Sequence, residues 1–285
     1  MTAGVFRLRL PDGRVQLAAG DSEGGPQTLL APTVSIDTLL AAGAGALEAA
    51  LAAPSGGQVP PASHVIAPVE SQEVWAAGVT YARSREARVA ESSEPSVYDR
   101  VYDADRPELF LKSPGWRVRG PGESVGIRAD STWDVPEPEL VLVIGADLSI
   151  VGYAIGNDMS SRSIEGDNPL YLPQAKIYEG ACAIGPCIVP ASLVQPPFEI
   201  GIEVVRDGGV AVRDATTTAR LKRTPEELVA YLGRALSFPV GSMLLTGTGV
   251  VPPPEFSLRY GDVVRIEISG LGRLENPVVK VGRSA

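Results

Sequence analysis

Pro136-Glu137-Pro138-Glu139-Leu140-Val141-Leu142-Val143-Ile144 decides the reading of this 285-residue chain. From Leu140 the run is apolar and β-branched, the composition of a buried strand. Residues i and i+2 of an extended chain share a face, so Glu137 and Glu139 project together at the mouth of that strand. At ~7 Å and an effective dielectric of ~20, two such charges repel by about 2 kcal/mol. The flanking prolines stiffen the backbone that holds them. The pair is tolerable if both side chains splay into water, or useful if a divalent cation lies between them. Oxygen donors of this kind suit Mg²⁺, Mn²⁺ or Ca²⁺.

A second apolar run, residues 150–155, follows after Gly145-Ala146-Asp147 and ends at Gly156-Asn157-Asp158. Paired as a hairpin, the two runs bring Asp158 back beside Glu137 and Glu139, giving three acidic donors at one sheet edge. Glu165 and Asp167 lie in a polar loop, where solvated surface is the expected role. Lys176 sits in a nearly uncharged stretch, Asn168 to Tyr178. A buried lysine near three carboxylates serves as a general base or acid, or as a structural ion-pair partner.

Working outward, the N-terminal part reads as strand, Pro11-Asp12-Gly13 turn and strand, then an Ala-rich helix over residues 36–53 capped by Ser35 or Asp37. A Pro- and Gly-rich linker over residues 54–61 puts a domain boundary near residue 70: a small N-terminal domain over residues 1–70 and a catalytic domain over 71–285. Beyond it, short strands dominate, with Asp207-Gly208-Gly209 as a hairpin turn and Val263-Val264-Arg265-Ile266-Glu267-Ile268 alternating as a half-buried strand. One helix is well marked, by Thr224 as cap, Pro225 in its first turn and Glu227 three residues on. Residues 83–107 are charged and read as a pair of surface helices or as a lid. The expected class is α+β, with a curled, barrel-like sheet.

Composition narrows the function. Thirty-four acidic against 25 basic side chains give a net charge of -9, which argues against a nucleic-acid partner. No run reaches the ~18–20 apolar residues of a bilayer span, and no secretory signal is visible, so a cytoplasmic protein without membrane contact is expected. Cys182 and Cys187 are two cysteines without a framework and read as core residues. His64 is the one histidine; a Ser-His-Asp triad would need it, and a multi-histidine metal site is impossible.

On these motifs the chain resembles the fumarylacetoacetate hydrolase superfamily over about residues 70–280. The resemblance rests on Glu137-x-Glu139, Asp158 followed by Ser160 and Arg162, Lys176, Thr246-Gly247-Thr248-Gly249, and the closing Gly261-Asp262-Val263-Val264 and Gly272-x-Leu274-x-Asn276-Pro277-Val278. It implies a mixed β-roll, a homodimer or homotetramer, metal ligands Glu137, Glu139 and Asp158, an active-site lysine at Lys176, and a substrate-holding threonine at Thr248. Many relatives carry a His and a Glu in G-x-N-Y-x-x-H-x-x-E; here Ser84 and Ala87 stand at those positions, which weighs against hydrolysis and decarboxylation. Three blocks are closest to the branch of 2-keto-3-deoxy-D-arabinonate dehydratases. They are Val101-Tyr102-Asp103-Ala104-x-Arg106-Pro107-Glu108-x-Phe110, Ser131-x-Trp133-x-x-Pro136-Glu137-Pro138-Glu139-Leu140, and Glu165-x-x-Asn168-Pro169-Leu170-Tyr171-Leu172-Pro173-Gln174-x-Lys176-Ile177-Tyr178.

The expectation that follows is a Mg²⁺-dependent dehydratase acting on a 2-oxo acid of the 2-keto-3-deoxy sugar series in pentose degradation. Lys176 is the expected base at C3. Glu108, Phe110 and Lys112 alternate along one strand, so Glu108 and Lys112 can face the site together, Glu108 as the acid or paired with Arg106. Thr248 and Arg162 are expected on the substrate carboxylate, Arg162 alternatively bracing Glu165. Two other readings stand beside this one: a diketo-acid hydrolase or dienoate isomerase or hydratase of the same superfamily, and a sugar-acid binder without turnover.

Overall fold

Pro138–Ile144 and Ile150–Asp158 pair antiparallel, with Glu139 opposite Gly156 and Leu142 opposite Tyr153. The computed structural model, which describes residues 2–283, sets this hairpin at the centre of its largest sheet. Cys182–Pro190 flanks it on one side and Ser242–Leu245 on the other. Beyond Ser242–Leu245 come Glu73–Gly78, parallel to it, and then the edge strand Glu108–Pro114. The central strands are buried on both faces: Leu140, Leu142 and Ile144 enter one core, and Val141 and Val143 the other. That double burial is why residues 140–144 carry no polar alternation.

A second sheet is built from Gly209–Thr217, Glu199–Arg206, Val263–Ile268, Gly272–Val281 and Val125–Arg128. It packs over the first through Ile200, Ile202, Val204, Val264 and Ile266. The result is the mixed β-roll expected from the sequence, made of open sheets instead of a closed barrel. At the far edge of the large sheet, Ala3–Arg9 adds beside Cys182–Pro190, Val5 opposite Ile188, and is followed by Val15–Asp21 and Gly25–Leu29. The single helix expected over residues 36–53 is two, Ile36–Ala42 and Ala46–Ala52. Gly43 and Gly45 between them adopt positive φ of 75° and 83°, which a continuous helix does not permit. Ser35 is the cap that forms.

Residues 83–107 hold two helices, Ala82–Glu91 and Pro95–Asp103, whose buried side chains are Ser84, Arg88 and Tyr98. They lie across one end of the sheet and are tied down by Ser93 N–H to Gly166 O (3.0 Å), Arg83 to Asp214 (2.8 Å) and Lys222 to Asp103 (2.8 Å). Among the described residues no helix is long and apolar enough to cross a membrane.

Candidate active site

The hairpin register puts three carboxylates at one end of the sheet. Asp158 N–H donates to Glu137 O at 2.9 Å, so the end of one strand is bonded to the start of the other. One oxygen from each of Glu137, Glu139 and Asp158 lies within 4.8 Å of the others, and all three side chains are buried. Glu139 is fixed by the Gly247 N–H, 2.6 Å from Oε2. Gly247 has φ 86°, and a Cβ there would strike Thr80 and the Ala77 carbonyl, so only glycine brings this amide to Glu139. Thr80 locks the same turn by donating to Thr246 O at 2.7 Å.

Lys176 ends the short helix Leu172–Lys176 and is buried. Its ammonium donates to Glu137 Oε2, to Ser160 Oγ (2.6 Å) and to Asp158 Oδ2 (3.2 Å). Ser160 Oγ also reaches Glu137 at 3.0 Å. Burial lowers the proton affinity of Lys176, but Asp158 and Glu137 outweigh it and hold the ammonium well above the usual lysine range. Burial pushes Glu137 up, and it pushes Glu139 well up with Asp158 and Glu137 adding to it.

A tight recess with about 20 Å³ of free space lies over the triad, lined by Ser84, Arg88, Glu108, Phe110, Glu165, Leu172, Lys176 and Thr248 with the three acids. Lys176, Glu108 and Thr248 are thus brought together as expected. Glu108 lies opposite Gly78 in the strand pair, and its carboxyl is raised to about 7 by burial and then by Glu165. Arg106 is not its partner; that guanidinium stacks on Tyr231. Lys112 does not line the recess. The pairing of Glu73–Gly78 with Glu108–Pro114 slips between Val74 and Trp75, leaving Lys112 as the extra residue of a bulge. A bulge re-aims its side chain, and Lys112 Nζ goes beneath the site to Met159 O (2.9 Å), Lys176 O and Asp158 Oδ1. Arg162 also stays behind the ligands, paired with Glu137 and, at 2.6 Å, with Glu165.

Glu165 corrects the expectation of a solvated loop residue: it is buried on the helix Arg162–Asp167, between Arg162 and Arg88. Asp167 is exposed as expected. Arg88 carried no signal in the sequence beyond its place four residues after Ser84, which puts both on one helical face. It is buried, with Nη2 2.7 Å from Glu91 and Nη1 3.4 Å from Glu165.

The residues fit a divalent cation. Six carboxylates (Glu91, Glu108, Glu137, Glu139, Asp158, Glu165) stand against four cations (Arg88, Lys112, Arg162, Lys176) in this buried or half-buried network, an excess of two negative charges when all are ionised. The triad's spacing matches the span of about 4–5 Å across the oxygen shell of one hard cation. Asp158 Oδ1 meets Lys112 as an ion pair yet accepts no well-directed hydrogen bond.

The fumarylacetoacetate (FAA) hydrolase C-terminal model matches residues 73–279, and the chain belongs to that family. Within it, the chain is 51% identical over 220 residues, 76% of either chain, to a probable 2-keto-3-deoxyxylonate dehydratase of Haloferax volcanii. It is 42% identical over 219 residues, 75% of this chain and 74% of the relative, to the 2-dehydro-3-deoxy-D-arabinonate dehydratase of Saccharolobus solfataricus. A solved 2-keto-3-deoxy-D-arabinonate dehydratase in complex with magnesium and 2,5-dioxopentanoate superimposes with a TM-score of 0.84 at 33% identity, covering 98% of this chain and 99% of that one.

Proposed function

We propose that this chain is a Mg²⁺-dependent hydro-lyase that removes water from a 2-keto-3-deoxypentonate, turning 2-keto-3-deoxy-D-arabinonate into 2-oxoglutarate semialdehyde (2,5-dioxopentanoate). The observation that carries the reading is the buried carboxylate triad with Lys176 seated on it, in a recess lined by Ser84. Relatives at 42% and 51% identity bear dehydratase names.

Glu137, Glu139 and Asp158 would hold the cation, with Mn²⁺ and Ca²⁺ as chemically similar occupants. When bound, it supplies Lewis-acid stabilisation of the charge that develops on the 2-oxo oxygen as a C3 proton leaves. Lys176 takes that proton. To do so it must first be neutral; were Asp158 and Glu137 engaged with the cation, their pull on the ammonium would fall, and burial favours the free amine. Glu108, with a pKa of about 7, gives its proton to the departing C4 hydroxyl, leaving a C3–C4 double bond. The carboxylate so formed then takes a proton from C5 while Lys176 returns its proton to C3, which resets both groups and leaves a C4–C5 enol that tautomerises to the C5 aldehyde. Thr248 holds the C1 carboxylate. Arg162 and Lys112 fix Glu137 and Asp158 so that the ligands keep their orientation.

The test is incubation of 2-keto-3-deoxy-D-arabinonate with protein and Mg²⁺. One aldehyde acid and no second acid is the expected product; release of two acids means a hydrolase instead. Activity that survives EDTA defeats the reading.

The setting we propose is the cytoplasm, and the state a homodimer or homotetramer; self-association is supported by the exposed Leu111 on the edge strand and Trp116 just beyond it and checked by light scattering in solution. Residues 1–70 are proposed as a small domain seated on the catalytic unit 71–285; limited proteolysis near residue 70 is the check.

A further inference from the structure

Resting on that reading, the wall of the recess away from the triad has its own chemistry. If the C1 and C2 oxygens of a 2-oxo acid lie at Glu137, Glu139 and Asp158, the chain beyond C3 must lie against the rest of the lining. That lining is Ser84 and Arg88 on the helix Ala82–Glu91, Glu108 on the edge strand and Glu165 on the helix Arg162–Asp167. Arg88 is 4% exposed, and its Nε has no hydrogen-bond partner among the described residues. Its charge, however, is already matched: Glu91 lies 2.7 Å from Nη2, Glu165 3.4 Å and Glu137 3.7 Å from Nη1. Arg162, the next cation, is committed to Glu137 and Glu165. This wall therefore has hydrogen-bonding capacity and no spare positive charge.

We infer that this wall reads the far end of the substrate as a neutral hydroxylated carbon, held by Ser84 and Arg88, and that Glu165 excludes a second carboxylate there. A hydroxyl accepts from Arg88 Nε and donates to a carboxylate, satisfying both. A carboxylate would be buried beside like charges with no free cation to pair it, which is costly. Discrimination built on such repulsion is a matter of which charges are left unpaired as much as of which contacts form. Ser84 and Arg88 are on this account specificity residues, and dicarboxylic 2-oxo acids are poor ligands of this chain.

The experiment is calorimetric binding with Mg²⁺ present, comparing 5-hydroxy-2-oxopentanoate with 2-oxoglutarate, which share a chain length and differ in the charge at C5. Wild type is expected to bind the hydroxy acid about 30-fold or more tightly than the diacid. Glu165→Gln, which frees part of the charge of Arg88, is expected to shrink that ratio to below about fivefold by improving diacid binding. Ser84→Ala, which should fold normally, is expected to weaken the hydroxy acid alone. A wild-type protein that prefers the diacid, or binds both equally, overturns the inference, as does a Ser84→Ala variant that weakens both ligands alike. Since binding is read without turnover, failure of the dehydratase assay with this preference intact would strike the proposed reaction and leave the assignment of the wall standing.

Discussion

Glu139 differs from the other two acids of the triad in having a backbone amide, Gly247 N–H, as its one hydrogen-bond donor among the described residues. Glu137 is gripped by Arg162, Lys176 and Ser160, and Asp158 by Lys112 and Lys176. Removing the charge of Glu139 therefore leaves no buried cation stranded. Glu139→Gln is expected to weaken Mg²⁺ binding by about 100-fold or more and to abolish turnover. Its melting temperature in EDTA should equal or exceed that of wild type, because a crowded buried charge has gone. Calorimetry with Mg²⁺ and a thermal melt check the two halves separately. The triad was legible in the chain because period-2 alternation and a short hairpin fix its positions almost by arithmetic; Lys176, at the end of a short helix, stood out by its nearly uncharged surroundings and by the family resemblance. Arg88 and Glu165 were not, because their burial comes from two helices laid over the sheet. A polar, charged helix looks the same in sequence whether its charges meet water or one another.

At the scale of elements, alternation predicts Glu108 and Lys112 on one face, and the bulge in Glu108–Pro114 breaks it. One extra residue in a strand carries no marker in composition, so this was the part of the site least open to reading. Its consequence is a lysine under Asp158, 1% exposed and bonded to two carbonyls. Lys112→Met keeps the length of the side chain and removes the charge that orients Asp158. We expect about 10–100-fold weaker Mg²⁺ binding, with KM and kcat recovering toward wild type as Mg²⁺ is raised; a loss that excess Mg²⁺ cannot offset would argue against an orienting role. The cap at Thr224 is a contrasting case. Its hydroxyl accepts from Glu227 N–H at 3.1 Å on a helix that contributes no residue to the lining of the recess. Thr224→Ala should cost about 1 kcal/mol in urea unfolding and leave kcat unchanged.

Over the whole molecule, the carboxylates of the site outnumber the cations around them, so the metal-free fold carries an electrostatic cost that depends on pH. Burial raises Glu108 and Glu91 from ordinary carboxylate values to about 7, and pushes Glu137 and Glu139 up as well. For a group whose pKa is higher in the folded state than in the unfolded chain, the folded protein binds the extra proton. The resulting stability is complete below the unfolded pKa and is lost as pH rises through the folded one. For Glu108 that window runs from 4.5 to about 7. At about 1.4 kcal/mol per unit, Glu108 alone contributes about 3 kcal/mol. Glu91, partly open to water, contributes less. Chelated protein should therefore melt at least about 5 °C lower at pH 8 than at pH 5. Saturating Mg²⁺ should raise the pH 8 melt far more than the pH 5 melt, since the cation competes with protons for the triad. Turnover should fall as pH rises past about 7 where Glu108 must be protonated to act, and Glu108→Gln should lose that limb along with most of its rate. Melting curves in EDTA and in Mg²⁺ across pH 5–8 test the linkage without any substrate. A chelated protein that is equally stable at both ends would mean that the acids of the recess are balanced by the cations around them, and that no divalent ion is called for by charge.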